Sequence, residues 1–210
     1  MLSYQVHVVA DVRSLVNFLE GSPMRKIVMV LVVFAFASML KLQASTLAGV
    51  TMPETVQVGS TTLVLNGLGL RTKFVVKVYV AGLYLEQKSS DGRAILNADA
   101  PKRIVMHFVH GASKSQMSDA FEDSFKDNSP DAVKTMKGDI DKLLAALEPV
   151  KEGDQMVFTY LPGSGTTFAI NGTDKVTIAG KAFGQLLFSV WLGPKPPNAD
   201  LKKGILGARE

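Results

Sequence analysis

The chain has 210 residues, no cysteine and a net charge of +4. The missing cysteines exclude disulfides, thiolate metal sites and cysteine nucleophiles. The modest charge, not concentrated into a basic face, gives no case for nucleic-acid binding. Met24-Arg25-Lys26 precede an apolar run, Ile27–Leu40, and Leu42-Gln43-Ala44 places a small residue before Ser45. The run is shorter than the roughly 20 residues of a comfortable membrane span. A basic start, an apolar stretch and a small-residue site make a secretory signal peptide. The expected organisation is an upstream extension or misassigned start over 1–23, a signal peptide over 24–44 and one domain over 45–210. The expected location is periplasmic or secreted, with no stable membrane span after cleavage. A cytoplasmic tail followed by a signal anchor is the alternative, and Lys41 speaks for it. Residues 1–44 carry Arg13, Arg25, Lys26 and Lys41 against Asp11 and Glu20, so the domain itself is near +2. Its length suffices for a core without staples.

Glu54–Val58 and Thr61–Leu65 flank Gly59-Ser60 and read as a hairpin. Asn66-Gly67-Leu68-Gly69 reads as a loose turn. Lys73–Leu85 then reads as one long strand with Arg71 at its mouth. Side chains at even offsets in a strand share a face. Arg71, Lys73, Lys77 and Tyr79 are expected on one face, and Phe74, Val76 and Val78 on the other. Ala94–Asn97 is a short helix, and Arg103–Val109 is a strand. Ser113 and Gln116 have capping-box spacing at the head of a helix that runs to about Phe125. Asn128-Ser129-Pro130-Asp131 interrupts. A single second helix is expected to about Leu147, with Val133, Met136, Ile140, Leu143, Leu144 and Leu147 at helical spacing. Gln155–Leu161, Thr167–Asn171 and Lys175–Ile178 form a meander. Lys181–Leu192 is an apolar helix ended by Gly193-Pro194, and a short helix covers about Ala199–Leu206. The order of elements argues for an α+β fold, a large antiparallel sheet with helices packed on one face.

Arg71 is the foremost candidate for chemistry. A planar guanidinium beside an apolar pocket suits a carboxylate, which it pairs bidentately; a solvated basic strand is the plainer reading. His107 and His110 lie three apart, on opposite faces of an extended strand, and make a poor joint metal site. Either could still be an axial haem ligand. Asp119, Glu122 and Asp123 fit a solvated helix face better than a carboxylate site. Gly163-Ser164-Gly165 fits a hairpin turn better than a phosphate loop, because no helix follows it. Trp191, among Leu187, Phe188 and Leu192, is either core or the lining of a ligand pocket. No spacing of a serine-hydrolase elbow, zinc protease or P-loop occurs.

The segment Leu65–Glu86 (LNGLGLRTKFVVKVYVAGLYLE), with Lys181-Ala182, Phe188–Gly193 and Asp200-Leu201-Lys202, resembles the chalcone isomerase-like family, and more narrowly its bacterial exported branch. The resemblance runs from about Gly49 to Gly207. It implies an open-faced β-sandwich in which a large antiparallel sheet carries a layer of helices, with a ligand cleft between them. In the enzymes of the family, an arginine after the Gly-rich turn positions the ionised chalcone, and Arg71 matches it by motif. The enzymes carry a threonine where this chain has Tyr79 and another at the place of Val190. Their active-site tyrosine has no counterpart in Gly111–Met117. The fatty-acid-binding relatives combine the arginine with a tyrosine on this strand to hold a carboxylate.

Three readings follow. The first is a non-catalytic binder of a small hydrophobic anion such as a fatty acid, held by Arg71 and Tyr79 with Val190 and Trp191 in the pocket. The second is a chalcone-flavanone isomerase-type intramolecular lyase that uses Arg71 as its anchor. The third is a haem carrier with His107 or His110 as ligand. The first two need no cofactor, and none of them sets the oligomeric state.

Overall fold

In the computed structural model of the protein, residues 44–207 are described. The expected extension over 1–23 and the expected signal peptide up to Gln43 lie outside the described residues. A first hairpin, β1 (Ala44–Leu47) and β2 (Val50–Pro53), turns through Ala48 and Gly49. Both turn residues have positive φ, 50° and 83°, the conformation of tight hairpin turns. This pair precedes Glu54, where the expected strands start.

The main sheet has seven antiparallel strands in sequential order. They are β3 (Thr55–Val58), β4 (Thr61–Lys73), β5 (Val76–Leu85), β6 (Lys102–Phe108), β7 (Gln155–Leu161), β8 (Gly165–Ile170) and β9 (Thr173–Ile178). Six helices accompany them among the described residues: α1 (Gly92–Asn97), α2 (Lys114–Asn128), α3 (Pro130–Thr135), α4 (Lys137–Ala146), α5 (Lys181–Leu192) and α6 (Ala199–Ile205). The expected α+β fold is the observed one. The hairpin across Gly59-Ser60, the meander β7–β9 and the apolar helix α5 stand where the sequence puts them.

The sheet has two buried faces. On the inner face, Tyr79, Ala81, Leu83 and Leu85 of β5 join the large core under the helices, with Phe158, Phe168, Phe188 and Trp191. On the outer face, Val80 packs with Val50 and Met52 of the first hairpin, and Tyr84 packs with Val58, Leu63 and Leu65. The Tyr84 hydroxyl donates to the Pro53 carbonyl at 2.9 Å, tying hairpin to sheet.

Two expectations need correction. The Asn66–Gly69 segment is not a turn. It lies within β4, which continues to Lys73. Its glycines serve close packing instead. A Cβ on Gly67 would lie 2.2 Å from the Gly204 carbonyl oxygen, and one on Gly69 would lie 2.2 Å from that of Leu201. Helix α6 therefore sits directly on the strand's backbone, as only glycine permits. Asn66 occupies a bulge. Its buried amide donates to the carbonyls of Ser89 and Ile205 and accepts from the Ser89 N–H. The second correction concerns the single helix expected up to Leu147. It is two helices, α3 and α4, parted at Met136 with φ −112° and ψ 22°. Two β-branched residues, Val133 and Thr135, precede the break. The Thr135 hydroxyl donates to the Ala132 carbonyl at 3.2 Å, offering the backbone an alternative to helical pairing.

The capping box of α2 is formed in both directions. Ser113 accepts from the Gln116 N–H, and the Gln116 side chain accepts from the Ser113 N–H. It fixes the start of α2 over the sheet. Asn128, at the other end, bonds both the N–H and the carbonyl of Lys195, which holds α2 against the segment that follows α5.

Candidate functional site

The turn between β4 and β5 is not at Asn66–Gly69 but at Phe74-Val75, between paired Lys73 and Val76. Arg71 and Tyr79 therefore do not lie along one strand. They are direct partners across the hairpin. Residues directly opposite in an antiparallel pair project to the same face. The shared face comes from this cross-strand pairing and not from even spacing along one strand. A bulge beyond the pair, where Thr72 faces Lys77, leaves Val78 as the extra residue and breaks simple alternation. Lys73, Phe74, Val76 and Val78 consequently line the same opening as Arg71 and Tyr79, although Phe74, Val76 and Val78 were expected on the opposite face.

That opening is a cavity of about 500 Å³ between the inner sheet face and helices α2 and α5. Its size is ordinary for a ligand site, where roughly 300–1,000 Å³ is usual. The buried lining is apolar: Met106 and Phe108 of β6, Met156 of β7, Met117 and Phe121 of α2, and Val190 and Trp191 of α5. The rim is polar and exposed, with His110, Gln116 and Asp123 beside Lys73. Methionines suit such a wall, because their unbranched, polarisable chains re-form around guests of different shape.

Arg71 is half-buried. Its Nη1 donates to the carbonyl of Thr72, and among the described residues no carboxylate pairs with it. Tyr79 is buried. Its hydroxyl accepts from Trp191 Nε1 at 3.2 Å, and its ring packs 5.7 Å from that of Phe108. Burial pushes the Tyr79 hydroxyl up to about 12, against the opposing pull of the Trp191 N–H and the Arg71 charge. The phenol therefore keeps its proton at neutral pH. With one lone pair engaged by Trp191, it still has a donor to offer inside the cavity. The arrangement is one cation and one neutral hydroxyl donor at the end of an apolar chamber. Trp191 is packed against Phe158 and Phe121, at centroid distances of 5.6 and 6.2 Å.

Of the residues expected at a site, Arg71, Tyr79, Val190, Trp191 and His110 line this one cavity. His107 does not. It sits on the other face of β6, near the Gln155 amide at 3.4 Å. Two other expectations resolve into structural roles. Glu122 pairs with Lys126 at 3.2 Å on the surface of α2, and Gly163-Ser164-Gly165 turns between β7 and β8. Met106, Met117, Phe121 and Met156 were missed as lining. Met117 and Phe121 lie four apart immediately after a capping box, a signal that the sequence carried.

A seven-stranded antiparallel sheet under a helix layer, with a cleft between them, defines an α+β protein of the open-faced sandwich class. A family model described as chalcone isomerase-like matches residues 44–207, and the chain belongs to the chalcone isomerase-like family. No curated protein sequence matches it. Among solved structures it is similar to a fatty-acid binding protein of Arabidopsis thaliana, with 14% identity and a TM-score of 0.62. The match covers 79% of this chain and 96% of that one. At that identity the likeness shows the fold. Among the described residues, no helix is long and apolar enough to cross a membrane.

Proposed function

We propose that this protein binds a single-chain hydrophobic carboxylate, a fatty acid or close analogue, without transforming it. The observation that carries the reading is Arg71, without a carboxylate partner among the described residues and directly opposite the neutral, buried Tyr79 at an apolar cavity. The guanidinium supplies the charge for the carboxylate, Tyr79 supplies a hydrogen bond, and the Met and Phe wall takes the chain. The fatty-acid binding protein that shares the fold supports the same class of ligand. Export to the periplasm by the leader at 24–44 is part of the proposal.

Catalysis has less support. Isomerase-type ring closure gains from hydroxyl donors placed where enolate charge develops. Val190 offers none, and Gly111–Met117 contains no tyrosine. A second reading, haem binding, is favoured by one observation, the position of His110 on the rim of the cavity that Arg71 also lines.

Native mass spectrometry with an absorption spectrum on the purified protein tests all three. A copurifying fatty acid, lost in Arg71→Ala, is the expected result. A haem mass with a Soret band lost in His110→Ala replaces the first reading with the second. An empty protein that turns over a chalcone, with turnover lost in Arg71→Ala, overturns the non-catalytic reading.

A further inference from the structure

The β4–β5 hairpin ends in an apolar tip held out in solvent. Phe74 and Val75 are each 95% exposed and Val76 is 41% exposed, and they are the strongly exposed large hydrophobic residues among those described. All three are consecutive. Phe74 has a φ of 56°, a left-handed conformation that bulky side chains seldom adopt and that glycine usually fills. The fold thus places a large apolar ring where a turn would be easier to build without one. Lys73 and Lys77 flank the tip, both exposed, and among the described residues neither is paired with a carboxylate.

We propose that this tip docks on an anionic lipid bilayer. Phe74 and Val75 enter the boundary between headgroups and acyl chains, while Lys73 and Lys77 meet the headgroup charge. A bilayer fits the feature better than a protein partner does. Three side chains at a hairpin tip fall far short of the roughly 1,000 Å² of a specific protein interface, whereas a wedge in a bilayer needs no complementary surface. Lys73, Phe74 and Val76 also line the cavity rim, so docking brings the cavity opening to the lipid surface. The docking stands on the tip's own residues and does not rest on what the cavity holds.

The absence of native cysteine allows a single reporter. Val75→Cys carries an environment-sensitive fluorophore at the tip, and Ser60→Cys carries it at the far end of β4, in the Gly59-Ser60 turn. Vesicles of phosphatidylethanolamine with phosphatidylglycerol should blue-shift the label at 75 and leave the label at 60 unchanged. Phosphatidylcholine vesicles should shift neither. Lys73→Gln with Lys77→Gln should weaken the response roughly 30-fold, from about fivefold per lysine, and Phe74→Asp should abolish it while far-ultraviolet circular dichroism stays unchanged. The proposal is overturned by an unshifted label at 75, by equal shifts at 60 and 75, or by a shift that survives Phe74→Asp. A shift without vesicles that grows with protein concentration also overturns it, by showing that a second copy covers the tip.

Discussion

Two neighbouring stretches of β4 present the same face of the same strand to opposite fates. Over Gly67 and Gly69 the face carries no side chain, and α6 closes down on the bare backbone. Two residues further on, α6 has not yet begun. Asn198, just before it, reaches the Leu70 carbonyl at 3.3 Å, and the next side chain on that face, Arg71, looks into the cavity. Closure in one half therefore comes from absent side chains, and opening in the other comes from an absent helix. The glycine segment belongs to stability, and the Arg71 segment is free to serve binding.

Substitution at Gly69 should break the closed half most severely. In Gly69→Ala the new Cβ meets the Leu201 carbonyl oxygen at 2.2 Å and its carbon at 2.9 Å. Both are backbone atoms, which cannot swing aside. The expected loss is about 3 kcal/mol in urea unfolding. A loss below about 1 kcal/mol would mean that α6 is free to lift, and the division between the halves would fail.

Arg71→Ala is the corresponding change in the open half. Stability should move by no more than about 0.5 kcal/mol, as for a half-exposed side chain whose one bond is to the neighbouring Thr72 carbonyl and which has no carboxylate partner among the described residues. Affinity for a fatty acid should fall by about 2 kcal/mol, roughly 30-fold, the worth of charge-assisted hydrogen bonds. Calorimetric titration of the wild type and the variant separates the two effects. Tyr79→Phe sits between the halves in character. Its ring packing on Phe108 survives, but the Trp191 N–H loses its acceptor. A stability loss of about 1 kcal/mol and an affinity loss of about fivefold are expected.

Much of this architecture is legible in residue pattern alone, and the illegible parts have identifiable causes. The capping box at Ser113 and the apolar periodicity of Lys181–Leu192 are local signals, and the structure repeats them. Asn66–Gly69 misleads because Gly-rich chemistry has the same signature in a turn and under a closely packed helix. Only the distant Leu201 and Gly204 distinguish the two. The pairing of Arg71 with Tyr79 depends on where the hairpin turns. Phe-Val at that turn is the opposite of what turn chemistry favours, so the strand reads straight through it. The Met-lined wall draws on β6, β7 and α2, far apart in sequence, and becomes visible only once the sheet has folded.

A second cation on the inner face sharpens the contrast with Arg71. Lys102 is buried, donates to the Ala98 carbonyl at 2.8 Å and lies 4.8 Å from the Tyr160 ring centroid. Its partners are all internal, whereas Arg71 faces an open chamber. Burial lowers the Lys102 ammonium from 10.5 to about 8, with Asp99 opposing and Lys181 adding to the shift. Below pH 8 both folded and unfolded chains hold this proton, and the cost of burying the charge is fully present. Between pH 8 and 10.5 the unfolded chain binds more protons than the folded one, so stability should rise with pH. The tyrosines act in the other sense. Burial raises Tyr79, Tyr84 and Tyr160 from 10.0 to about 12. Their contribution is complete below pH 10 and is lost as pH climbs through 12. Stability should therefore peak near pH 10. Lys102→Met should remove the rise from pH 8 while leaving the fall above pH 10. Chemical denaturation at a series of pH values reads both limbs. If the rise persists in Lys102→Met, Lys102 is not the buried cation responsible, and the distinction between a closed lysine and an open arginine on this face would be lost.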